Sequence, residues 1–238
     1  MIDILILAAG AGKRIGTDIP KVLRKLHGKT FLQRIVDSVS QLKNIAKIYI
    51  VVSHHLKELV EHEFPQCEIL VQGIHKGTAK AVEAYHVFVE NKSEKVLVIP
   101  GDVPLISTQI LQRFILTTRL DNGIIVFEPN DGKEYGRVIY HPDTHNIQIV
   151  EFKDCTEEQK LIPTCNAGVY IFSKNTLKHL KYIEDDNKQH EYYLTDIFKI
   201  SSIPVTLYHI EPTNNIYLQG VNTLQDLKEL ETGTPFNI

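Results

Sequence analysis

Short runs of Ile, Val and Leu recur along the first half of this chain, with longer amphipathic stretches between them. The apolar runs fall at 3–8, 47–53, 68–71, 95–99 and 123–127. The intervening stretches at 30–42, 56–63, 78–89 and 108–118 space their apolar residues as helices do. Strands that are apolar throughout need cover on both faces, and helices lying between them supply it. The pattern predicts an α/β chain with a doubly wound, mostly parallel, Rossmann-like sheet. Ligands of such sheets bind beyond the carboxyl ends of the strands, so the loops after Ala8, Val71 and Ile99 are where chemistry is expected.

Beyond residue 130 the pattern changes. Residues 137–141 and 146–152 read as a hairpin around a turn at 141–145, where Pro142-Asp143 is a turn signal. A strand at 167–172, helices near 175–181 and 192–199, a strand at 205–210 and a helix at 223–231 follow. A length of 238 residues suits one domain with a small β-rich annex.

Composition narrows the partners. Lys and Arg total 26 against 29 Asp and Glu, a net charge of −3, which lacks the basic footprint of a nucleic-acid binder. No apolar run reaches the ~20 residues that span a bilayer. The apolar start carries Asp3 and no basic flank, so it reads as a buried strand and not as a signal peptide. Cys67, Cys155 and Cys165 are an odd, scattered set without a CxxC pair, which suits a reducing, cytoplasmic compartment. No hexapeptide repeat is present, so no left-handed β-helix is expected. The histidines form no HExxH, His54-His55 read as surface or capping residues, and there is no GxSxG elbow.

The loop after the first strand reads Ala8-Ala9-Gly10-Ala11-Gly12-Lys13-Arg14-Ile15-Gly16, followed by Pro20-Lys21-Val22-Leu23. Gly16 falls one residue too late for the dinucleotide fingerprint. Gly28-Lys29-Thr30 is not a Walker loop, because Leu23 stands where its first glycine belongs. What remains is a run of small residues whose backbone N–H groups can approach phosphates, with Lys13, Arg14 and Lys21 to neutralise them. A glycine-rich turn with solvated cations is the plainer alternative. Pro20 argues against it by fixing where Lys21 emerges.

Other segments carry chemistry of their own. Gln72 offers an acceptor and two donors, enough to pair with a base edge. Gly77-Thr78 precedes a helix and also suits a helix start with Thr78 as N-cap. Asp102 lies in a turn at a strand's carboxyl end. There it can hold Mg²⁺, which takes one or two protein oxygens beside substrate phosphates, or it can simply serve the turn.

Taken together these motifs resemble the sugar-phosphate nucleotidyltransferases. The ordered segments QGIHKGTAKAV (72–82), GDVPLI (101–106), YGR (135–137), IVEFKD (149–154), TEEQ (156–159), NAG (166–168), EYYLTD (191–196) and GVN (220–222) look like the pyrophosphorylase domain of bacterial N-acetylglucosamine-1-phosphate uridyltransferases. The resemblance spans nearly the whole chain, and EYYLTD and VEFKD are its most specific parts. It implies a nucleotidyltransferase-type sheet over one domain, 1–238, with a nucleotide-binding part at 1–130, a sugar-phosphate-binding part at 131–222 and a C-terminal helix and tail at 223–238.

The resemblance also assigns roles. Arg14 and Lys21 would be catalytic. Ala8, Ala9, Gly10, Gly12, Lys13, Gln72, Gly77 and Thr78 would bind the nucleotide. Gly136, Glu151, Asn166, Tyr192 and Thr195 would line the sugar site, with Tyr192 and Thr195 opening a helix. Mg²⁺, or Mn²⁺ in its place, would sit on Asp102 and Asn222. Nothing in the spacing links those two, and Asn222-Thr223-Leu224-Gln225-Asp226 also reads as a helix start with a capping box. The implied substrates are UTP and N-acetylglucosamine 1-phosphate, with no nucleic acid and no membrane. Pro100 departs from the family, which often carries Tyr there. The bacterial enzymes usually continue into an acetyltransferase β-helix that builds their trimer. Without one, no acetyl transfer or coenzyme A use is expected, and a monomer or weak homodimer is. The alternatives are transfer to another sugar or polyol phosphate or from another base, a non-catalytic nucleotide-binding subunit, and an NAD-dependent oxidoreductase.

Overall fold

Strand β1 (Ile2–Leu7) runs through the middle of the sheet, with Ile4, Leu5 and Ile6 fully buried. The structure is a computed structural model and describes residues 1–10, 19–74, 76–129, 134–144, 146–201 and 203–233. Ala11, Gly12, Lys13, Arg14 and Gly16 lie outside the described residues.

β1 pairs in parallel with β4 (Ile45–Val52) on one side and β6 (Lys95–Pro100) on the other, and β5 (Glu68–Val71) extends the sheet beyond β4. The helices between them are α1 (Phe31–Ser40), α2 (Lys57–Glu63), α3 (Thr78–Phe88) and α4 (Thr108–Thr117). These agree with the expected elements to within a few residues. The local causes are visible: Thr30 and Ser107 cap α1 and α4 by accepting from the Gln33 and Ile110 N–H groups at 3.0 and 3.2 Å. Alternate residues of β1 feed two cores. Ile4 and Ile6 join Ile35, Val39, Leu111 and Phe114 on one face, and Leu5 joins Val82, Tyr85 and Phe198 on the other. That two-sided burial is why these strands read as continuous apolar runs.

The second half is threaded through the first. β7 (Asn122–Phe127) does not pair with β6. β10 (Cys165–Ser173) lies antiparallel between them, with Tyr170 opposite Val98 on one side and Ile124 on the other. β11 (Val205–His209) adds in parallel to β7. The hairpin of β8 (Arg137–His141) and β9 (Asn146–Val150) branches from β10 through the pair Arg137 and Cys165. The result is a mixed, mostly parallel sheet in the order β11-β7-β10-β6-β1-β4-β5.

The helix expected near 175–181 is present as a 3-10 helix, Thr176–Tyr182. At its start the Thr176 hydroxyl donates to Asn122 Oδ1 at 2.8 Å and its N–H to Ser173 Oγ at 3.2 Å, side-chain bonds that compete with regular helix formation. Tyr192 and Thr195 do not open a helix, because α6 (Asp196–Ser201) begins only at Asp196. The backbone of 192–194 is committed elsewhere, to the start of α3: the Tyr192 N–H donates to Lys76 O at 3.2 Å, Tyr192 O accepts from the Ala79 N–H at 3.0 Å, and the Leu194 N–H donates to Thr78 Oγ1 at 3.0 Å.

Because β1, β4, β5 and β6 are parallel, their carboxyl ends open on one side. Bonds just past the strands hold the loops there: Ala8 N–H to Val51 O at 2.8 Å, Gly101 N–H to Leu7 O at 2.8 Å, and Gln72 N–H to Val52 O at 2.9 Å. No helix among the described residues is long and apolar enough to cross a membrane.

Candidate active site

Lys21 opens a single 3-10 turn, Lys21–Leu23, directly behind Pro20. Its neighbour Val22 is buried, which anchors the turn and aims the lysine inward. Lys21 Nζ donates to Asp102 Oδ2 at 2.5 Å and to Asn222 Oδ1 at 2.8 Å, and its side chain is only 12% exposed. Three segments far apart in sequence therefore meet at one ammonium group. Asp102 follows β6, and its carbonyl accepts from the Val221 N–H at 2.9 Å, which ties the two loops together. Asn222 stands just before α7 (Leu224–Gly233). Asp226 accepts from the Asn222 and Thr223 N–H groups at 2.7 and 2.8 Å, and its own N–H donates to Thr223 Oγ1 at 3.1 Å. The capping box read from the sequence is thus formed, and it fixes Asn222 as well as the helix.

The donor set suits a hard divalent cation. Asp102 and Asn222 each aim an oxygen at the same point, and the point is already held by a positive group, the lysine ammonium. One carboxylate and one amide oxygen match Mg²⁺, which leaves its other positions to phosphates and water. No cluster of three or more His, Cys, Asp or Glu suited to a metal occurs among the described residues.

Ala8 and Ala9 carry the chain off β1 toward Gly10, where, chain neighbours aside, no atom of the described residues lies within 4 Å of the Cβ position. Across the same end of the sheet, Gln72 Nε2 donates to Gly77 O at 3.1 Å. The N-cap of α3 is Gly77, not Thr78, because the Thr78 hydroxyl serves the Leu194 N–H instead. Gly77 has φ +117°, and a Cβ there would collide with the Tyr192 backbone. The Lys80 ammonium sits 4.5 Å from the Tyr192 ring centre. The loop after β5 and the segment before α6 are therefore laced into one wall.

The second wall holds Gly136, Glu151 and Asn166. Glu151 accepts from Thr195 Oγ1 at 3.0 Å, and a Cβ on Gly136 would lie 3.4 Å from its other carboxylate oxygen. Burial pushes the Glu151 carboxyl above its ordinary value. The Thr195 hydrogen bond opposes the rise, while Asp196 and Asp154 add to it. The Asn166 N–H donates to Gly136 O at 2.9 Å. Asn166 Oδ1 accepts from the Gly168 N–H at 2.8 Å, and Asn166 Nδ2 donates to the Tyr170 hydroxyl at 2.7 Å.

Sequence reasoning missed two residues here. The buried Arg137 guanidinium donates to Tyr135 O at 2.6 Å and Lys160 O at 3.2 Å, bracing the strand that presents Gly136. Tyr170 sits in an apolar strand and reads as core. Its hydroxyl meets Asn166 four residues back on the same strand, across the stretch where the register of β10 against β7 shifts. His54 and His55 are exposed on a 3-10 turn, as read from the sequence.

A mixed sheet whose parallel strands end on one side, with a lysine, an aspartate and an asparagine converging there, is the architecture of a nucleotidyltransferase domain. The chain belongs to the family described as the MobA-like NTP transferase domain, whose model matches residues 4–196. It is 40% identical over 206 residues to the bifunctional protein GlmU of Campylobacter jejuni, covering 84% of this chain and 46% of the relative. It is 37% identical over 239 residues to the bifunctional protein GlmU of Francisella tularensis, covering 97% and 51%. The chain thus spans about half the length of the curated relatives it matches. Its fold is similar to that of the inositol-1-phosphate CTP transferase of T. maritima, at a TM-score of 0.74 and 16% identity over 98% of each chain.

Proposed function

We propose that this chain transfers the uridylyl group of UTP to N-acetylglucosamine 1-phosphate, giving UDP-N-acetylglucosamine and pyrophosphate. The observation that carries the reading is the convergence of Lys21, Asp102 and Asn222 at the carboxyl ends of the strands. The motifs at 72–82 and 191–196 and the likeness to GlmU proteins favour uridine and an N-acetyl sugar.

The nucleophile is an oxygen of the sugar phosphate, already ionised, so no strong base is needed. A bond forms from that oxygen to the α-phosphorus as the bond to the β-phosphate oxygen breaks, and pyrophosphate leaves with the electron pair. The protein's task is alignment and charge neutralisation. Lys21 neutralises the triphosphate, and Arg14, in the loop after β1, shares that work. Ala8 through Gly10, with Gly12 and Lys13, follow the phosphates, while Gln72, Gly77 and Thr78 face the base. Gly136, Glu151, Asn166, Tyr192 and Thr195 line the sugar side. Asp102 and Asn222 would hold Mg²⁺ or Mn²⁺, which supplies further charge neutralisation at the phosphates when bound. Both substrates are small phosphate compounds, and neither role calls for a nucleic acid or a membrane. The chain works in this reading as a monomer or weak homodimer in the cytoplasm, where its cysteine thiols would stay reduced.

Calorimetry with Mg²⁺ tests the reading. UTP should bind and NAD should not, and Asp102→Ala should weaken UTP binding and abolish pyrophosphate release. Tight NAD binding, or an Asp102→Ala variant that releases pyrophosphate at the parent rate, would overturn it.

A further inference from the structure

The sugar-side wall contains a buried tyrosine that the reaction as written does not use, and a chain of local constraints ends on it. Pro100 closes β6 and has no N–H to donate, so the ladder to β10 cannot continue past it. Opposite it, β10 bulges: its register against β7 shifts between Asn166 and Tyr170. Gly168, inside the bulge, has φ +74°, and a Cβ there would stand 3.3 Å from Pro100 Cγ. The Gly168 N–H turns to the nearest side-chain acceptor, Asn166 Oδ1, at 2.8 Å.

That bond settles the amide. Only an oxygen can face a backbone N–H, so the nitrogen of Asn166 must point the other way, and there it donates to the Tyr170 hydroxyl at 2.7 Å. Tyr170 is itself held by its ring, which stacks on Phe172 with centroids 5.3 Å apart and packs against Phe198 at 5.8 Å. Its residue is 5% exposed. Burial and the Glu151 carboxylate both push the phenol above its ordinary value, so it stays protonated.

We propose that Tyr170 is a positioning residue for the sugar phosphate: it locks the Asn166 amide between Gly168 and itself, so that the second Asn166 N–H is offered in one fixed direction. A fixed amide N–H favours a sugar whose ring substituent is an acceptor, such as an acylamino carbonyl, over one carrying a free ammonium group. The inference rests on the uridylyltransferase reading for its substrate and on geometry alone for the lock.

Tyr170→Phe keeps the ring and removes only the hydroxyl. The lock is read first without turnover: in ¹⁵N-labelled protein the Asn166 side-chain amide signals, assigned by their absence in Asn166→Ala, should shift in Tyr170→Phe. Next, the KM for N-acetylglucosamine 1-phosphate should rise several-fold, with the KM for UTP and the melting temperature near the parent values. The preference for that substrate over glucosamine 1-phosphate should narrow. In an Asn166→Ala background, Tyr170→Phe should add nothing, because the two act as one unit. Unmoved amide signals would overturn the lock. Equal KM effects in both backgrounds, or a rise in the KM for UTP as well, would overturn the positioning role. A parent protein inactive with UTP and the sugar phosphate would instead overturn the function proposed above, leaving the amide signals to decide the lock.

Discussion

Lys21 holds two oxygens that a divalent cation would also claim, and this makes its substitution informative in two directions. Lys21→Ala should lower turnover about 10²–10³-fold, the usual cost of losing one charged contact to a transition state, ~3–4 kcal/mol. Its circular dichroism should match the parent. Lys21→Met should at the same time tighten Mn²⁺ binding to the nucleotide-free protein, measured by electron paramagnetic resonance, because the competing ammonium at 2.5 and 2.8 Å is gone. Weaker Mn²⁺ binding in that variant would show that the lysine does not compete for the seat. Glu151 makes a second residue-scale prediction. Its carboxyl is raised by burial, so ionising it costs more in the folded chain than in the unfolded one. Stability contributed at this position therefore falls as pH rises through its folded titration. Glu151→Gln should melt higher than the parent at neutral pH, and the gain should vanish in acid, where both side chains are neutral. A gain that persists in acid would contradict the assigned cause.

At the scale of elements, the wall between α3 and the segment before α6 depends on a backbone contact. Gly77 has φ +117° and no room for a Cβ against Tyr192. Gly77→Ala should cost about 1–3 kcal/mol from backbone strain alone, lower the melting temperature, and raise the KM for UTP more than that for the sugar phosphate. The strands and helices of the first 120 residues were legible because local pattern and two-sided burial agree there, as in β1 and β6. The segment at 192–195 was not. Its sequence permits a helix, but the Lys76 carbonyl and the Ala79 N–H take its backbone groups, and that contact spans more than a hundred residues. Likewise the sequence places Asp102 at a strand end and Asn222 at a helix start, each for local reasons. The family resemblance alone linked the two, and their meeting at Lys21 is a tertiary fact that no sequence signal carried. Tyr170 left no sequence signal at all, since an aromatic in an apolar strand is ordinary core.

Over the whole molecule, the sheet separates stability from chemistry. At the end of β1 away from the site, buried Asp3 accepts from the Tyr85 hydroxyl at 2.6 Å, the Ser93 N–H at 2.9 Å and the Ser93 hydroxyl at 3.0 Å. Asp3→Ala would strand those donors and should destabilise the fold by about 2–3 kcal/mol in denaturant titration. Its kinetic constants at low temperature should stay near the parent, because the lesion lies at the opposite end of the strands. Meanwhile β10, running antiparallel between β6 and β7, places Asn166 and Tyr170 beside strands whose carboxyl ends hold the phosphate-side residues. In the proposed function the two substrate walls would thus share one sheet, and a change of sugar would leave the nucleotide side in place. The most direct test of the account is pyrophosphate release with Mg²⁺ across the four common nucleoside triphosphates, crossed with the 1-phosphates of glucose, galactose, glucosamine and N-acetylglucosamine. The account predicts one dominant signal, for UTP with N-acetylglucosamine 1-phosphate; a dominant signal for another pair, or none while UTP still binds, would contradict it.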